Sequence, residues 1–94
     1  MWHLSKSKRY RKDEKACELP QAKLQKMETA LQNDPIKGTH IGKIVGYETA
    51  YRYRIGDKRI MYTVEEEVKN VNLNSIENRG EAYKNRKYSL SYAS

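Results

Sequence analysis

Phenylalanine is absent from this sequence of 94 residues, and cysteine occurs once. Because Cys17 has no second cysteine to pair with, an intramolecular disulfide is excluded, and no paired Cys or His spacing predicts a metal site. The N-terminal residues are charged and lack the long apolar run that a signal peptide or a membrane span requires. We therefore expect a cytoplasmic protein with no metal, no cofactor and no membrane contact.

Acidic side chains are scarce relative to basic ones. The chain has 19 Lys and Arg against 12 Asp and Glu, a formal net charge of +7. A field of this size attracts polyanions, although charge also simply keeps small domains in solution. The aromatic residues are eight Tyr and one Trp, whose polar groups suit contact with bases or phosphates. The composition favours a nucleic-acid partner, and solubility alone is the alternative.

The length allows one domain with one modest core. Apolar residues at alternate positions within residues 1–4 predict a short N-terminal strand. A first helix, largely charged, is predicted over residues 8–17, with Ser5 or Ser7 as its N-cap. Three of its residues have the spacing to face a core, and these are Tyr10, Ala16 and Cys17.

A second helix is predicted from Pro20 to about Gln32, because apolar residues recur there at three- and four-residue steps. These residues are Leu24, Met27, Ala30 and Leu31. Residues 36–46 contain three glycines and show no sustained period. We interpret them as a connection of loop and extended chain.

From Glu48 onward apolar and polar residues alternate, which is the pattern of β-strands. Residues 51–55 and 58–64 flank Gly56 and Asp57, a two-residue turn signal, and together they predict a hairpin. Residues 70–76 alternate again and predict a third antiparallel strand.

The length of the hairpin turn fixes its register and places Arg54 opposite Arg59, with Arg52 on the same face. The other face is predicted to pack against the helices through Tyr51, Tyr53, Ile60 and Tyr62. Like charges directly opposite each other are destabilising by up to about 1 kcal/mol, so stability alone does not explain this pairing. The planar donor fork of Arg suits phosphate oxygens, which favours an anion site. The alternative is a solvated face with nearby Glu partners.

Two segments carry a resemblance to a known family. Residues 51–62 read Tyr-Arg-Tyr-Arg-Ile-Gly-Asp-Lys-Arg-Ile-Met-Tyr, and residues 76–83 begin with Ile-Glu-Asn-Arg and end in Tyr. They resemble the hairpin motif and the later Ile-Gly-His-Arg-x-x-Val-Tyr motif of the RelE/ParE superfamily of bacterial toxins. The order of elements agrees over residues 1–84, which leaves 85–94 as a basic C-terminal tail.

The resemblance implies an α+β fold. An N-terminal strand, two helices and a three-strand antiparallel meander would form one sheet packed on the helices. The RelE-like branch further implies a toxin of a type II toxin–antitoxin pair that cleaves messenger RNA in the A site of the 70S ribosome. The expected partners are messenger RNA, the ribosome and a cognate antitoxin that covers the basic face in a toxin–antitoxin hetero-oligomer.

Carried over position by position, the family's catalytic residues fall on Arg52, Arg54, Arg59, Arg79 and Tyr83. In this hypothesis the 2′-hydroxyl of the RNA attacks the adjacent phosphate, and fixed guanidinium groups stabilise the charge that grows there without a metal ion. The basic residues of the first helical region are expected to rest on ribosomal RNA. They are Lys6, Lys8, Arg9, Arg11, Lys12 and Lys15.

Some positions depart from the family pattern. RelE has Lys at the first two arginine positions of the hairpin, and Arg keeps its proton in proteins, so the general base is open, with Glu77 and Glu81 as candidates. His3 and His40 are interpreted as ordinary surface or strand residues. Two alternatives stand beside the nuclease. One is a ParE-like inhibitor of DNA gyrase, and the other is a weakened toxin homologue that only binds RNA or antitoxin.

Overall fold

One five-stranded sheet organises the part of the chain that the computed structural model describes, residues 1–78. The elements in chain order are β1 (His3–Lys6), α1 (Lys8–Ala16), α2 (Gln21–Asn33), β2 (Ile41–Lys43), β3 (Ala50–Ile55), β4 (Lys58–Glu65) and β5 (Asn70–Asn78). The strands lie in the order β1-β5-β4-β3-β2. Only the β1–β5 pair within this sheet is parallel. The predicted α+β class is confirmed.

The sheet has one strand more than the sequence predicted. β2 lies within residues 36–46, which were interpreted as a connection, and it pairs antiparallel with β3 through Ile41 opposite Tyr53 and Gly42 opposite Arg52. A strand of three residues is too short to show an alternating pattern, and its central glycine weakens any strand signal. It forms because β3 would otherwise leave its outer backbone groups unpaired.

Ser7 is the N-cap of α1 and also fastens this helix to the sheet. Its hydroxyl accepts a hydrogen bond from the backbone N–H of Tyr10 at 2.9 Å and donates one to the carbonyl of Asn74, also at 2.9 Å. Tyr10 is fully buried as predicted. Ala16 was predicted to face the core, but it is exposed. The reason is that α1 ends at this residue.

The core lies between the two helices and one face of the sheet. α2 contributes the side chains that its spacing predicted, Leu24, Met27 and Leu31, each at most 3% exposed. The strands contribute Tyr53, Ile55, Ile60, Tyr62, Val64, Val71 and Leu73. Neither helix within residues 1–78 is long and apolar enough to cross a membrane.

A β-bulge interrupts the pairing of β4 with β5. Tyr62 lies opposite Leu73, whereas Met61 lies opposite Ser75, so Asn74 is an extra residue on β5. Because side chains alternate along a strand, one extra residue moves every later side chain to the other face. Glu77 would otherwise follow Leu73 into the core. Instead it lies on the face opposite the helices.

We expect the two fully buried tyrosines to respond differently to loss of their hydroxyl groups. Burial raises the pKa of both Tyr10 and Tyr62. The hydroxyl of Tyr62 donates to the carbonyl of Pro35 at 2.7 Å, whereas that of Tyr10 has no hydrogen-bond partner among residues 1–78. Tyr62→Phe should therefore cost about 1 kcal/mol of unfolding free energy, and Tyr10→Phe should be neutral or stabilising.

Urea unfolding followed by circular dichroism measures this difference, and each variant is the control for the other. Equal losses in the two variants would contradict the assignment of the Tyr62 hydrogen bond.

Candidate functional site

The β3–β4 hairpin brings three arginines to the face of the sheet that points away from the helices. Gly56 adopts a φ of 60° in the turn, a conformation that glycine reaches at no steric cost. With this two-residue turn, Arg54 lies opposite Arg59 and Arg52 lies opposite Met61. The predicted register is confirmed. We call the surface formed by Arg52, Arg54 and Arg59 the arginine face.

Gly42 on β2 makes room for the Arg52 side chain. A Cβ atom at Gly42 would lie 2.7 Å from Nη1 and 2.8 Å from Cζ of Arg52. The guanidinium group therefore lies against the β2 backbone, where a larger residue would displace it. Because Gly42 has no side chain, the guanidinium group of Arg52 has room to lie there.

Arg54 is exposed at the end of the short β2 pairing. Its backbone N–H donates to the carbonyl of His40 at 2.9 Å, so His40 lies directly beside it. The two hairpin arginines next to β2 open onto a cavity of about 170 Å³ lined by Thr39, His40, Ile41, Gly42, Arg52 and Arg54. No carboxylate of residues 1–78 lines this cavity. Among residues 1–78, neither Arg52 nor Arg54 forms an ion pair, so this part of the face suits an anion.

Arg59 has a different environment from the other two arginines. It lies between Arg54 on β3 and Glu77 on β5, and its Nε atom is buried. Glu77 is 7% exposed, and the Oγ of buried Ser75 lies 3.5 Å from its carboxylate. The alternative of a solvated face requires glutamate neighbours. Within the described residues, one is present beside Arg59 and none beside Arg52 or Arg54.

Lys6 was grouped with the basic residues of the first helical region, but it lies on β1 and forms ion pairs with residues of both helices. Its Nζ atom lies 3.1 Å from a carboxylate oxygen of Glu14 on α1 and 3.3 Å from one of Glu28 on α2. Burial acts to lower the pKa of Lys6, but these two glutamates outweigh it and raise the pKa. This side chain joins β1 to both helices.

The other predicted basic residues, Lys8, Arg9, Arg11, Lys12 and Lys15, are exposed on α1. Three of them, Lys8, Arg9 and Lys12, line a shallow cavity of about 580 Å³ together with Asp13. Asp13 lies 3.8 Å from Nε of Arg9 and also accepts the backbone N–H of Ile76 at 3.0 Å, so this carboxylate anchors α1 to β5. The basic side chains around it are exposed.

Two of the predicted catalytic residues, Arg79 and Tyr83, lie outside the described residues. So do the predicted tail at 85–94 and Glu81, the second candidate base. The arginine face is therefore defined by three side chains of the hairpin.

Sequence reasoning missed a second basic cavity on the helix side of the hairpin. It measures about 320 Å³ and is lined by Lys23, Lys26, His40, Tyr53, Arg54, Ile55 and Gly56. The rings of His40 and Tyr53 lie 5.4 Å apart between centroids. His40 was interpreted as an ordinary surface or strand residue. Its position beside the arginines depends on the pairing of β2 with β3, and the sequence pattern did not predict β2. Lys23 and Lys26 are three residues apart, about one helical turn, and the sequence shows this spacing. It does not show which residues of other elements lie beside them.

Comparison with known proteins finds similarity in structure only. No protein-family model matches the sequence, and no curated protein matches it. Solved structures of toxins match with TM-scores near 0.7. The RelE of Pyrococcus horikoshii, solved as an archaeal RelE–RelB complex, has a TM-score of 0.69 and 23% identity, covering 84% of this chain and 96% of that chain.

Two Escherichia coli toxins are similar to this chain to the same degree. The isolated RelE toxin has a TM-score of 0.69 and 20% identity, with 96% of this chain and 99% of that chain covered. A mutant of YafQ has a TM-score of 0.69 and 15% identity, with 88% and 99% covered. The described residues thus define a small α+β fold with a basic hairpin. This is the fold of the RelE-like toxins, as the resemblance of the two motifs predicted.

We expect Gly42→Ala to act through Arg52. The new methyl group meets the mobile end of a side chain and not backbone, so the melting temperature should stay unchanged. Affinity for a fluorescent single-stranded RNA should fall about tenfold, the effect of losing one charge-assisted contact. Fluorescence anisotropy measures it.

The control is the same substitution in an Arg52→Ala background. There Gly42→Ala should cause no further loss, because the group it displaces is already gone. An additional loss in the double variant would show that Gly42 acts by another route.

Proposed function

We propose that this chain is the toxin of a type II toxin–antitoxin pair and a ribosome-dependent endonuclease that cleaves messenger RNA in the A site. The observation that carries the proposal is the arginine face on a RelE-like fold. Among residues 1–78, Arg52 and Arg54 have no ion-pair partner, and no carboxylate from that range lines the cavity onto which both open. Such a site favours phosphate. Action on ribosomes would place the protein in the cytoplasm.

The proposed reaction uses the nucleophile of the substrate itself. The 2′-oxygen of one nucleotide attacks the adjacent phosphorus, a new P–O2′ bond forms, and the P–O5′ bond breaks. The products are a 2′,3′-cyclic phosphate and a 5′-hydroxyl, and one proton passes from the 2′-hydroxyl to the leaving oxygen overall. Negative charge grows on the non-bridging oxygens, where preorganised guanidinium groups are most effective.

The arginines divide this work according to their environments. Arg59, held beside Glu77 in the sheet, is proposed to clamp the scissile phosphate together with Arg79. Arg52 and Arg54 would steady the backbone and the leaving group. The terminal aromatic residue of the motif, Tyr83, would stack on a base or pass a proton. Because Arg keeps its proton, the arginines act by charge and position, and the ribosome would supply much of the alignment of the strand.

A cognate antitoxin is the proposed protein partner. RelE of Pyrococcus horikoshii and RelE of Escherichia coli have both been solved in complexes with RelB. By this likeness, an antitoxin would cover the basic face of the present chain in a hetero-oligomer and block access of RNA to the arginines. The exposed basic side of α1 would contact ribosomal RNA.

Programmed ribosomes mixed with the protein provide the test, with cuts in the A-site codon mapped by primer extension. We expect cleavage by the natural chain and a loss of about 10²–10³-fold in rate for Arg59→Ala and for Arg79→Ala. Lys69→Asn is the charge-matched control. It removes one positive charge from the β4–β5 turn, and Asn tolerates the positive φ of 50° at that position.

The control variant should cleave at the natural rate. Absence of cleavage by the natural chain would overturn the proposal. If the chain instead inhibited DNA supercoiling by gyrase, the ParE-like alternative would replace it.

A further inference from the structure

We propose that the cavity on the helix side of the hairpin is a second phosphate-binding site, which holds the RNA backbone after it passes the arginine face. We call this cavity the helix-side cleft. It is lined by Lys23, Lys26, His40, Tyr53, Arg54, Ile55 and Gly56. The choice of RNA as its ligand rests on the proposed function.

Within residues 1–78, the lining of the cleft is positively charged and contains no acidic side chain. Lys23 and Lys26 lie three residues apart on α2, which places them on the same side of the helix, and both are exposed. Neither forms an ion pair among residues 1–78. Arg54 also lines the cleft, and no carboxylate from the described part of the chain belongs to the lining. Uncompensated cations that face one another destabilise the fold, so an anion between them is the arrangement that relieves their repulsion.

The cleft is continuous with the arginine face. His40 and Arg54 line both the 320 Å³ cavity on the helix side and the 170 Å³ cavity on the arginine side. β2 begins at Ile41, opposite Tyr53, so among residues 1–78 no strand pairs with β3 beyond Tyr53 on that side, where only the backbone of His40 bonds to Arg54. An extended polyanion can therefore pass around this open edge and touch Arg52, Arg54 and the two lysines in succession.

The aromatic lining favours RNA over an acidic peptide. His40 is exposed, and its ring lies against the ring of Tyr53 with an interplanar angle of 50°. A supported, exposed ring beside cations can stack a nucleobase while the cations hold its phosphate. An acidic peptide would use the cations and leave the ring without a partner.

The test uses RNA that cannot be cut, with 2′-O-methyl groups, and compares two lengths by fluorescence anisotropy. For an oligonucleotide of about ten nucleotides, Lys23→Ala/Lys26→Ala should weaken binding about tenfold. The slope of log affinity against log salt should fall in magnitude by about 1.4, the value for two phosphates of a single strand. A trinucleotide, which offers fewer phosphates than the two cavities can hold together, should show a smaller loss in this variant.

Lys37→Ala/Lys69→Asn is the matched control, because it removes two exposed lysines that do not line the cleft. An equal loss in the control would show a general field effect and overturn the inference, as would unchanged binding of the longer RNA. Loss of binding to an acidic peptide with RNA binding retained would assign the cleft to a protein partner instead.

These outcomes separate the inference from the proposed function. A chain that binds the long RNA through the two lysines but leaves A-site codons intact would refute the nuclease and retain the cleft. A chain that cuts A-site codons while the lysine variant binds RNA normally would refute the cleft alone.

Discussion

The pairing of β3 with β4 is the constraint on which the rest of the site depends. A two-residue turn leaves the hairpin one register, and that register decides which side chains share a face. Arg54 is placed against Arg59, and the apolar residues that alternate with the arginines along both strands are placed against the helices. A shift by one residue would bury the guanidinium groups and expose the tyrosines, so the core and the arginine face are two results of the same hydrogen-bond ladder.

The bulge at Asn74 places an acidic side chain beside the hairpin, which the β3–β4 pairing alone does not do. The repulsion between two opposed arginines is offset on one side by a carboxylate, which reaches this face only because β5 changes phase before Glu77. Arg59 is therefore enclosed and has a neighbour of opposite charge, whereas the arginines nearer β2 remain open. A single bulge in the backbone therefore gives the three arginines different surroundings.

The hairpin and both helices could be predicted from sequence because their signals are local. Turn length, alternation and the three- to four-residue spacing of Leu24, Met27 and Leu31 all lie within a few residues of one another. β2, the bulge and the position of His40 could not be predicted. They follow from pairing between distant segments, and a three-residue strand or a single inserted residue leaves no periodic trace. The resemblance of two short motifs supplied the overall fold, but it did not indicate the cleft beside α2.

The parallel pairing of β1 with β5 has a consequence for how the molecule is made. His3 lies opposite Asn70, so the first strand of the described chain pairs with its last strand. The hairpin can close from local contacts, but the sheet gains its fifth strand only after this long-range contact forms, and contacts between distant residues form slowly. Until β5 has been synthesised, β1 lacks the strand with which it pairs, and α1 has no β5 on which to dock.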